Sequence, residues 1–507
     1  MLRNMVILSF FIIRSTLSAQ IMPWEGGIIN YRIIGFSFPP EKNIAGYKIE
    51  IAPGNYNAED SFRRNITVTE NGNTNKIIAE VPRFGEQYTW QVTYTGANAR
   101  VTKSKLHHFS TLMDEYVDTS KMRLRILQPA IAHKDDYVMA ENGGVIYDMQ
   151  GSPVWCISDS CGLGGKGKDI KFTPQGSITF ILGETGIDID YNSHILWSTP
   201  GHDSVCGYPG PDLYHNDFSR LANGHYMVLG MEYFFCHTIY TKDSVYIAAT
   251  PDRSKHSKKN GGDIVRPGRG RFAILIELDE NRNVVWSWKS SDYLLASDYV
   301  NYMPKDTNQK FEPHDNGFYY DEKNQVIYLS FRNLNRIIKI DRASGKVLNA
   351  YGEVFKRGVQ QQLSGPFDYQ HSIGRTTDGY LYTFSNNHWL DSRTAPTVVM
   401  MKEPETENDT LKKVWEYPLS TPEYTAPMDY SYGGNVVALA DSSMFVCMGS
   451  HYPKMLILNR DKQILWSAVP EKYNKDTNKW EIHEMLYRGN IISRESLERM
   501  IWAAGTE

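Results

Sequence analysis

Three histidines lie shortly before a hairpin signal in three separate stretches of the 507-residue chain. His215 opens HNDFSRLANGHYMVLG, His314 opens HDNGFYYDEKNQVIYLSFRN, and His371 lies in QHSIGRTTDGYLYTF. In each stretch a polar turn is followed by a strand rich in aromatic and β-branched residues. Imidazole changes charge near neutral pH, so it can act as a nucleophile, an acid or a base. A single histidine is more often a packed or solvated residue, but three at equivalent positions favour a shared site.

Polar residues of the second stretch add an anion-binding character. Asn316 is two residues after His314, so both side chains point the same way in an extended segment. Arg332 ends the second strand of that hairpin and can return to the same place. Arginine, histidine and asparagine form a donor-rich pocket that suits an anion. Asp217 and Asp315 either orient a ring nitrogen or cap turns, and the capping role is favoured.

A repeated unit predicts how these residues are positioned. Strands end on an aromatic residue after a polar turn in six units between about 120 and 470, at Trp155, Trp197, Trp286, Tyr351, Trp415 and Trp466. Six such units predict a six-bladed β-propeller over 116–507, whose innermost strands line a central channel and bring the histidines together. We assign the tryptophans to packing between blades. The one predicted helix is SRESLERMIW, with Ser493 as its N-cap.

A second domain is predicted over 20–115. Short alternating runs such as AGYKIEIAPG and QYTWQVTYTG are separated by turns about every ten residues, which is typical of a β-sandwich. The segment resembles a fibronectin III or Ig-like repeat with Trp90 as its core aromatic. With an aromatic content of 12%, the whole chain is predicted to be all-β.

The N-terminal segment and the cysteines indicate an exported protein. MLRNMVILSFFIIRSTLSAQ has a basic start, an apolar run and a small-residue cleavage site, which predicts a signal peptide over 1–19; a buried first strand is the alternative. Five cysteines fit one or two disulfides, with the pairing among Cys156, Cys161, Cys206, Cys236 and Cys447 left open. No later run is apolar enough to span a membrane. A net charge of -4 gives no reason to expect nucleic acid.

Taken together, these motifs resemble the bacterial arylsulfate sulfotransferases that work without phosphoadenosine phosphosulfate. Three motif sets carry the resemblance: Gln370-His371 with Asp378-Gly379 and Phe384-Ser385-Asn386-Asn387; His314 and Asn316 with Ser330 and Arg332; and His215-Asn216-Asp217 with Leu221-Ala222-Asn223-Gly224. The stretch YSYGGNVVALADSSMFVCMGS resembles the last-blade strand pair of that family. The similarity extends over both predicted domains.

The resemblance implies a sulfo transfer from a phenolic sulfate ester to a phenol through a sulfohistidine, with ping-pong kinetics and no nucleotide cofactor or metal. His371 is then the nucleophile and His215 the acid and base, while His314, Arg332 and Asn316 bind the sulfo group. Asn386, Tyr369 and Tyr214 are implied substrate contacts. The expected location is the periplasm or the exterior, and a homodimer is left open.

Two departures from the family pattern leave alternatives open. The paired histidines of the family are His215-Asn216 here, and its F-D-N-G motif has Ser385 and Asn387 in place of Asp and Gly. Loss of that Asp puts the orientation of His371 in question. The chain is therefore alternatively an inactive secreted propeller that binds glycans or mediates adhesion. A lesser alternative is a metal-dependent ester hydrolase in which three histidines hold zinc.

Overall fold

Two compact units divide the chain between Met113 and Asp114 in the computed structural model. The structure describes residues 21–141, 143–158, 167–201, 214–240, 245–249, 264–294, 313–352, 365–387, 394–405, 410–420, 422, 432–449, 452–483 and 486–504, with the backbone alone for 232–240, 245–249 and 264–271. The predicted signal peptide lies outside these residues. No helix in the described ranges is long and apolar enough to cross a membrane.

The first unit consists of two sheets and one short helix. Its elements are β1 Gly27–Ile29, β2 Ile33–Ser37, β3 Ile44–Pro53, α1 Glu59–Arg64, β4 Val68–Gly72, β5 Lys76–Glu80, β6 Gln87–Gly96, β7 Val101–Lys103 and β8 His107–Thr111. The larger sheet has the order β1-β8-β6-β3-β4 with β7 beside β6, and β2 pairs with β5 in the smaller one. Phe36 of β2 packs edge-on against the fully buried Trp90 of β6, with ring centroids 4.9 Å apart. Trp90 is thus a core aromatic, as predicted, whereas the fibronectin III or Ig-like topology stays a prediction.

The second unit contains the remaining strands and a C-terminal helix. Its elements are β9 Met122–Gln128, β10 Tyr137–Ala140, β11 Val145–Asp148, β12 Pro153–Cys156, β13 Lys168–Phe172, β14 Ile178–Leu182, β15 Thr185–Ile189, β16 Ile195–Ser198, β17 Tyr214–Arg220, β18 Tyr226–Tyr240, β19 Val245–Ala249, β20 Ile264–Leu278, β21 Val284–Lys289, β22 Asp315–Asp321, β23 Val326–Phe331, β24 Arg336–Asp341, β25 Val347–Gly352, β26 Gln370–Arg375, β27 Leu381–Ser385, β28 Thr397–Lys402, β29 Lys412–Pro418, β30 Asn435–Ala438, β31 Met444–Met448, β32 Lys454–Leu458, β33 Ile464–Asn474, β34 Lys479–Ile482, β35 Gly489–Ile492 and α2 Arg494–Ala503, with short 3-10 turns at Ser290–Asp292 and Arg332–Leu334. Ser493 caps α2 by accepting a hydrogen bond from the Ser496 amide at 3.2 Å, as predicted.

Most of these strands form antiparallel sheets that succeed one another along the chain. In the described residues the sheets are β12-β11-β10-β35, β13-β14-β15-β16, β17-β18-β20-β21, β22-β23-β24-β25, β26-β27-β28-β29 and β30-β31-β32-β33, and we number them first to sixth in this order. Strand β35, near the C-terminus, completes the first sheet, whereas β9, near the start of the unit, pairs with β33 of the sixth. The two ends of the unit are therefore interlocked. The all-β prediction is confirmed.

The inner strands of these sheets contact one another in cyclic order. They are β13, β17, β22, β26, β30 and β35, and β35 returns to β13. Apolar clusters fill the space between consecutive sheets from the second to the sixth. One of them joins Leu229 and Leu275 of the third sheet to Leu329 and Ile338 of the fourth. This arrangement is propeller-like, because each sheet packs face to face on the next around the inner strands.

Aromatic side chains tie each sheet to its successor. The indole N–H groups donate to backbone carbonyls of the next sheet or its turns: Trp155 to Tyr191, Trp197 to Glu280, Trp288 to Gly345, Trp415 to Arg460, and Trp466 to Met149 of the first sheet. In the fourth sheet, which lacks this tryptophan, the Tyr351 hydroxyl donates to Glu403 of the fifth at 2.6 Å. Packing between blades was predicted for these aromatic residues, and these bonds confirm it at all positions but one.

Trp286 packs on the fourth sheet through its ring, as predicted, without being the indole donor. The indole that reaches the fourth sheet belongs to Trp288, two residues later. Side chains two apart in a strand share a face, so both tryptophans point toward the same neighbour. Trp286 is partly buried against the same apolar cluster and carries the Arg342 guanidinium over its ring at 4.5 Å.

The cysteines described in the structure are buried in strands. Cys156 ends β12, and Cys447 of β31 is a free thiol. Cys161 and Cys206 lie outside the described residues, and the Cys236 side chain is not described. The predicted disulfides therefore stay predictions.

Candidate active site

Four of the inner strands are irregular at the same place. The register with the second strand of the sheet shifts between Lys168 and Lys171 in β13, Tyr214 and Phe218 in β17, Asp315 and Gly317 in β22, and His371 and Ile373 in β26. Non-glycine residues with positive φ lie in or directly before these bulges: Asp169 at 57°, Asn216 at 61°, His314 at 57° and Ser372 at 58°. Such bulges redirect side chains, and strained backbone clusters at functional sites.

His371 lies in the bulge of β26 and is buried. Its Nδ1 is 2.8 Å from the carbonyl oxygen of Gly434, and its Nε2 is 3.0 Å from the hydroxyl of Tyr487. A carbonyl oxygen only accepts hydrogen bonds, so Nδ1 carries the ring proton and Nε2 the lone pair. Burial lowers the pKa of His371 well below its usual value, and the positive charges of Arg488 and Arg332 lower it further. The structure therefore presents a neutral imidazole with a defined tautomer.

The predicted anion-binding residues come together beside this histidine. The Arg332 amide donates to the His314 carbonyl at 2.9 Å, so these two residues are direct backbone neighbours. Asn316 is fully buried, and its Nδ2 donates to the Gln370 carbonyl at 2.8 Å, one residue before His371. Positive charge on Arg332 or His314 lowers the pKa of His371. Sequence reasoning thus placed His371, His314, Asn316 and Arg332 in one region, and the structure brings them together.

Arg332 is held in place by its surroundings. Its guanidinium lies over the ring of Tyr369, with 4.4 Å to the ring centroid, and its Nε donates to Asn333 at 3.2 Å. Tyr369 has a positive φ of 53°, and its amide donates to the Asn335 side chain at 2.7 Å. Tyr369, predicted to contact the substrate, thus packs against the arginine.

His215 and its neighbour Asn216 differ in their contacts. The Nε2 of His215 lies 3.2 Å from a carboxylate oxygen of Asp315 without hydrogen-bond geometry. Oδ1 of Asn216, the next residue, lies 3.1 Å from the Tyr487 hydroxyl, and its Nδ2 donates to the Asp315 carbonyl at 2.9 Å. Of the His-Asn pair, the asparagine is therefore the residue linked to His371. The acid and base role of His215 stays a prediction.

Tyr214 and Asn386, the other predicted substrate contacts, have protein partners. Tyr214 lies in the apolar cluster between the second and third sheets, and its hydroxyl donates to the Pro200 carbonyl at 3.1 Å. Asn386 is buried and donates to the Gly433 carbonyl at 3.2 Å. These contacts give Tyr214 a packing role and attach Asn386 to the segment that bears Gly434. Substrate contact by either residue stays a prediction.

Ser385 does not touch His371. Its hydroxyl accepts from the Asp368 amide at 2.8 Å and lies 2.7 Å from Oδ1 of Asn387. The ring of His371 is instead oriented by Gly434 and Tyr487. The ring of His371 therefore has a fixed orientation although Ser385 replaces the aspartate of the family motif.

A buried ionic cluster occupies the inner strands next to the histidine. Arg488 pairs with Asp169 and lies 3.9 Å from Asp217, and Lys171 bridges the same two carboxylates. Burial raises the pKa of Asp217 to about 6, assisted by the negative charge of Asp169. Burial also raises the pKa of Glu141, which accepts from the Arg488 amide, to about 7. These residues line one side of a cavity of about 610 Å³.

Sequence reasoning missed Tyr487, Arg488 and Gly434. Tyr487 and Arg488 directly precede β35, the strand that completes the first sheet, just as His314 directly precedes β22. That position was the available signal, but it requires knowing that the C-terminal segment closes the cycle. In the part of the chain that the structure describes, no group of three or more histidine, cysteine or carboxylate residues is arranged to hold a metal ion.

Comparison with known proteins identifies the family. The profile of the arylsulfotransferase (ASST) family matches residues 118–454, which is more than half of the chain. No curated protein matches significantly.

Two solved structures show distant likenesses to the chain. A Bacteroides caccae protein of unknown function covers 71% of this chain and 99% of its own, with 10% identity and a TM-score of 0.38. An auxiliary nutrient binding protein from Bacteroides ovatus covers 91% of this chain and 88% of its own, with 10% identity and a TM-score of 0.33. These scores are too low to bear on function. The family match, together with the clustered motif residues, shows that the chain belongs to the arylsulfotransferase family.

Proposed function

We propose that this protein moves a sulfo group from a phenolic sulfate ester to a phenol through a sulfohistidine at His371, without a nucleotide. The observation that carries the proposal is the state of His371: a buried, neutral imidazole whose proton is held on Nδ1 by the Gly434 carbonyl at 2.8 Å. Neutral imidazole with an unprotonated ring nitrogen is a good nucleophile near neutral pH.

In the loading step, Nε2 of His371 attacks the sulfur of the donor. The N–S bond forms, the bond from sulfur to the aryl oxygen breaks, and its electron pair leaves on the phenolate. Nδ1 keeps its proton, because a backbone carbonyl accepts a hydrogen bond but takes no proton. The intermediate is therefore a sulfonated imidazolium, whose positive ring is a good leaving group. An acceptor phenolate then attacks the same sulfur and releases neutral His371.

The sulfo group carries one negative charge, and the neighbouring donors match it. Arg332 is a permanent cation fixed over Tyr369, and Asn316 contributes a second amide hydrogen beyond the one given to Gln370. His314 lies beside Arg332 and adds a further donor. Donors that are already in place stabilise charge that develops during transfer without reorganising.

His215 is proposed to protonate the departing phenolate and to deprotonate the incoming phenol, with Asp315 beside its ring at 3.2 Å. Asn386, Tyr369 and Tyr214 are proposed to line the approach of the aryl groups. A ping-pong sequence follows, because one site serves donor and acceptor in turn.

The architecture and location are part of the proposal. The cyclic contacts of the inner strands support a six-bladed β-propeller over 116–507, preceded by a sandwich over 20–115. The apolar N-terminal segment supports export to the periplasm or the exterior, with disulfides among the cysteines and the signal removed near Ala19.

An exchange assay tests the function. A chromogenic aryl sulfate is mixed with a phenol acceptor, and release of the coloured phenol is followed for the wild type, His371→Asn and the surface control His194→Asn. We expect acceptor-dependent release by the wild type and His194→Asn, and a loss of at least about 1,000-fold for His371→Asn, as for removal of a covalent nucleophile. Equal rates for all three would overturn the assignment. No release by the wild type would favour the inactive glycan-binding or adhesion module. Release without acceptor that a chelator abolishes would favour the metal-dependent hydrolase.

A further inference from the structure

The hydroxyl of Tyr487 lies between two hydrogen-bond acceptors. It is 3.0 Å from Nε2 of His371 and 3.1 Å from Oδ1 of Asn216. Because the ring proton of His371 is on Nδ1, Nε2 accepts, and an amide oxygen also accepts. Burial raises the pKa of Tyr487 to about 12, so the hydroxyl keeps its single hydrogen at neutral pH. That hydrogen can serve one of the two acceptors fully at a time.

Loading of the histidine changes which acceptor is available. A sulfo group uses the Nε2 lone pair, so the hydroxyl hydrogen must leave Nε2 as the N–S bond forms. A buried hydroxyl without an acceptor is costly. Asn216 offers the replacement from the other side, and the exchange needs only rotation of the hydroxyl hydrogen, not movement of a side chain.

Both partners are fixed for this exchange. Asn216 occupies the bulge of β17 with φ 61°, and donation from its Nδ2 to the Asp315 carbonyl at 2.9 Å turns Oδ1 toward Tyr487. The ring of Tyr487 packs edge-on against His371, with centroids 5.2 Å apart and an angle of 85°. Arg488, the next residue, is anchored to Asp169 and to the Asn316 carbonyl. The hydroxyl therefore stays between its two acceptors.

We propose that Tyr487 and Asn216 form a hydrogen-bond exchange pair that frees Nε2 of His371 for sulfo loading. The Tyr487 hydroxyl donates its hydrogen bond to Nε2 of His371 in the unloaded enzyme and to Oδ1 of Asn216 in the loaded one. The proton never leaves the tyrosine, and the electron pair of the broken S–O bond leaves with the phenolate. Both are positioning residues, and the inference rests on the proposed role of His371.

A double-mutant cycle on the loading rate tests the pair. Single-turnover phenol release from a chromogenic aryl sulfate is measured for Asn216→Gly, Tyr487→Phe and the double variant; glycine keeps the positive φ without strain. Asn216→Gly leaves the Tyr487 hydroxyl without an acceptor during loading, which slows loading about 10- to 100-fold. Tyr487→Phe removes the hydroxyl and slows it about threefold. The double variant is also about threefold slower than the wild type, so the second substitution rescues the first.

If Asn216 has a purely structural role, the double variant should load no faster than Asn216→Gly. If Asn216→Gly acts by losing its bond to Asp315, the double variant is as slow as Asn216→Gly or slower, and the proposal is overturned. Tyr382→Phe serves as the matched control, because it removes another buried hydroxyl that accepts from Ala438 at 3.2 Å without touching His371. It should give no rescue in the Asn216→Gly background; equal rescue by this control contradicts the exchange.

A second readout separates this proposal from the proposed function. Diethylpyrocarbonate modifies neutral imidazole nitrogens, and peptide mass spectrometry measures its rate at His371 in the same variants without any sulfo transfer. The same order of rates supports the exchange even if the wild type releases no phenol, an outcome that overturns only the proposed function. Sulfo loading by the wild type without rescue in either readout overturns only the exchange.

Discussion

At the outer strands of the six sheets the same contact recurs, whereas the bulges of four inner strands share no single residue type. Outside, an indole or phenol donates to the next sheet at every step, and Trp466 returns to Met149 of the first sheet. Inside, the bulges of β13, β17, β22 and β26 present an aspartate, an asparagine, an asparagine and a histidine. The regular part closes the cycle, and the irregular part holds the candidate chemistry.

The outer strands stabilise the unit, whereas the bulged inner strands carry backbone strain. Positive φ values at non-glycine residues such as Asn216 and Ser372 cost of order 1–3 kcal/mol each. Such strain persists only if the surroundings over-determine it, and the interlocked outer strands provide that frame. We call the bulged inner strands and the groups packed against them the inner zone, and the outer strands with their contacts to the next sheet the outer zone.

Arg488→Met should destabilise the inner zone most. The substitution leaves the buried carboxylates of Asp169 and Asp217 with one cation fewer, and a broken buried ion pair costs about 3–5 kcal/mol in the free energy of unfolding. Urea unfolding measures the loss. The control is Arg494→Met on α2, an exposed pair with Glu498, for which at most about 1 kcal/mol is expected. Similar losses for both would mean that the buried cluster has no special role.

Trp466→Phe should weaken the closure between the sixth and first sheets. It removes a buried indole N–H and leaves the Met149 carbonyl without that donor, which costs about 1–3 kcal/mol in the free energy of unfolding. Trp286→Phe, on the partly buried tryptophan that is not the indole donor to the fourth sheet, should cost less. The urea midpoints of the two variants measure the losses. A larger loss of unfolding free energy for Trp286→Phe would contradict the role of Trp466 in closing the cycle of sheets.

Ser385→Ala tests whether the departure from the family motif matters for chemistry or for folding. The hydroxyl binds the Asp368 backbone and Asn387, so its loss should lower the free energy of unfolding by about 1 kcal/mol. Because the hydroxyl does not reach His371, the loading rate should change by less than about twofold. A tenfold slower loading rate at unchanged stability would show that Ser385 positions the histidine.

His133 should give the stability of the second unit a modest pH dependence. Its ring is bonded to Asp136 at 2.8 Å and to Asp441 in the β30–β31 turn at 3.0 Å, and the bond to Asp136 raises the pKa of His133 above its usual 6.5. The contribution is therefore complete below pH 6.5 and is lost as the pH rises through the folded-state pKa. We expect His133→Asn to remove about 0.5–1 kcal/mol of unfolding free energy at pH 5.5 and less at pH 8.5. A larger loss at pH 8.5 would contradict the sign.

The repeated features of the molecule were readable from the sequence. Aromatic residues after polar turns predicted the contacts between sheets, and His314, Asn316, Arg332 and His371 were placed in one region because equivalent repeat positions converge. Period-2 alternation could not tell Trp286 from Trp288, since both side chains leave the same face of a strand.

The other features of the site depend on backbone groups, strand order and bulges, none of which can be read from a pattern of side chains. The group that sets the tautomer of His371 is a backbone carbonyl, Gly434, which any residue type supplies. Tyr487 enters the site only because the C-terminal strand β35 completes the first sheet. Asn216 rather than His215 reaches Tyr487 because the bulge in β17 gives Asn216 a positive φ and interrupts the regular alternation of side chains there.

The central claim is that His371 carries the sulfo group. The direct measurement is peptide mass spectrometry of the protein quenched shortly after mixing with an aryl sulfate and no acceptor. The proposal predicts one added sulfo group on the peptide that contains His371, and its loss when a phenol is then added. An unmodified His371 peptide while the coloured phenol is released, or a sulfo group on a different residue, would contradict it.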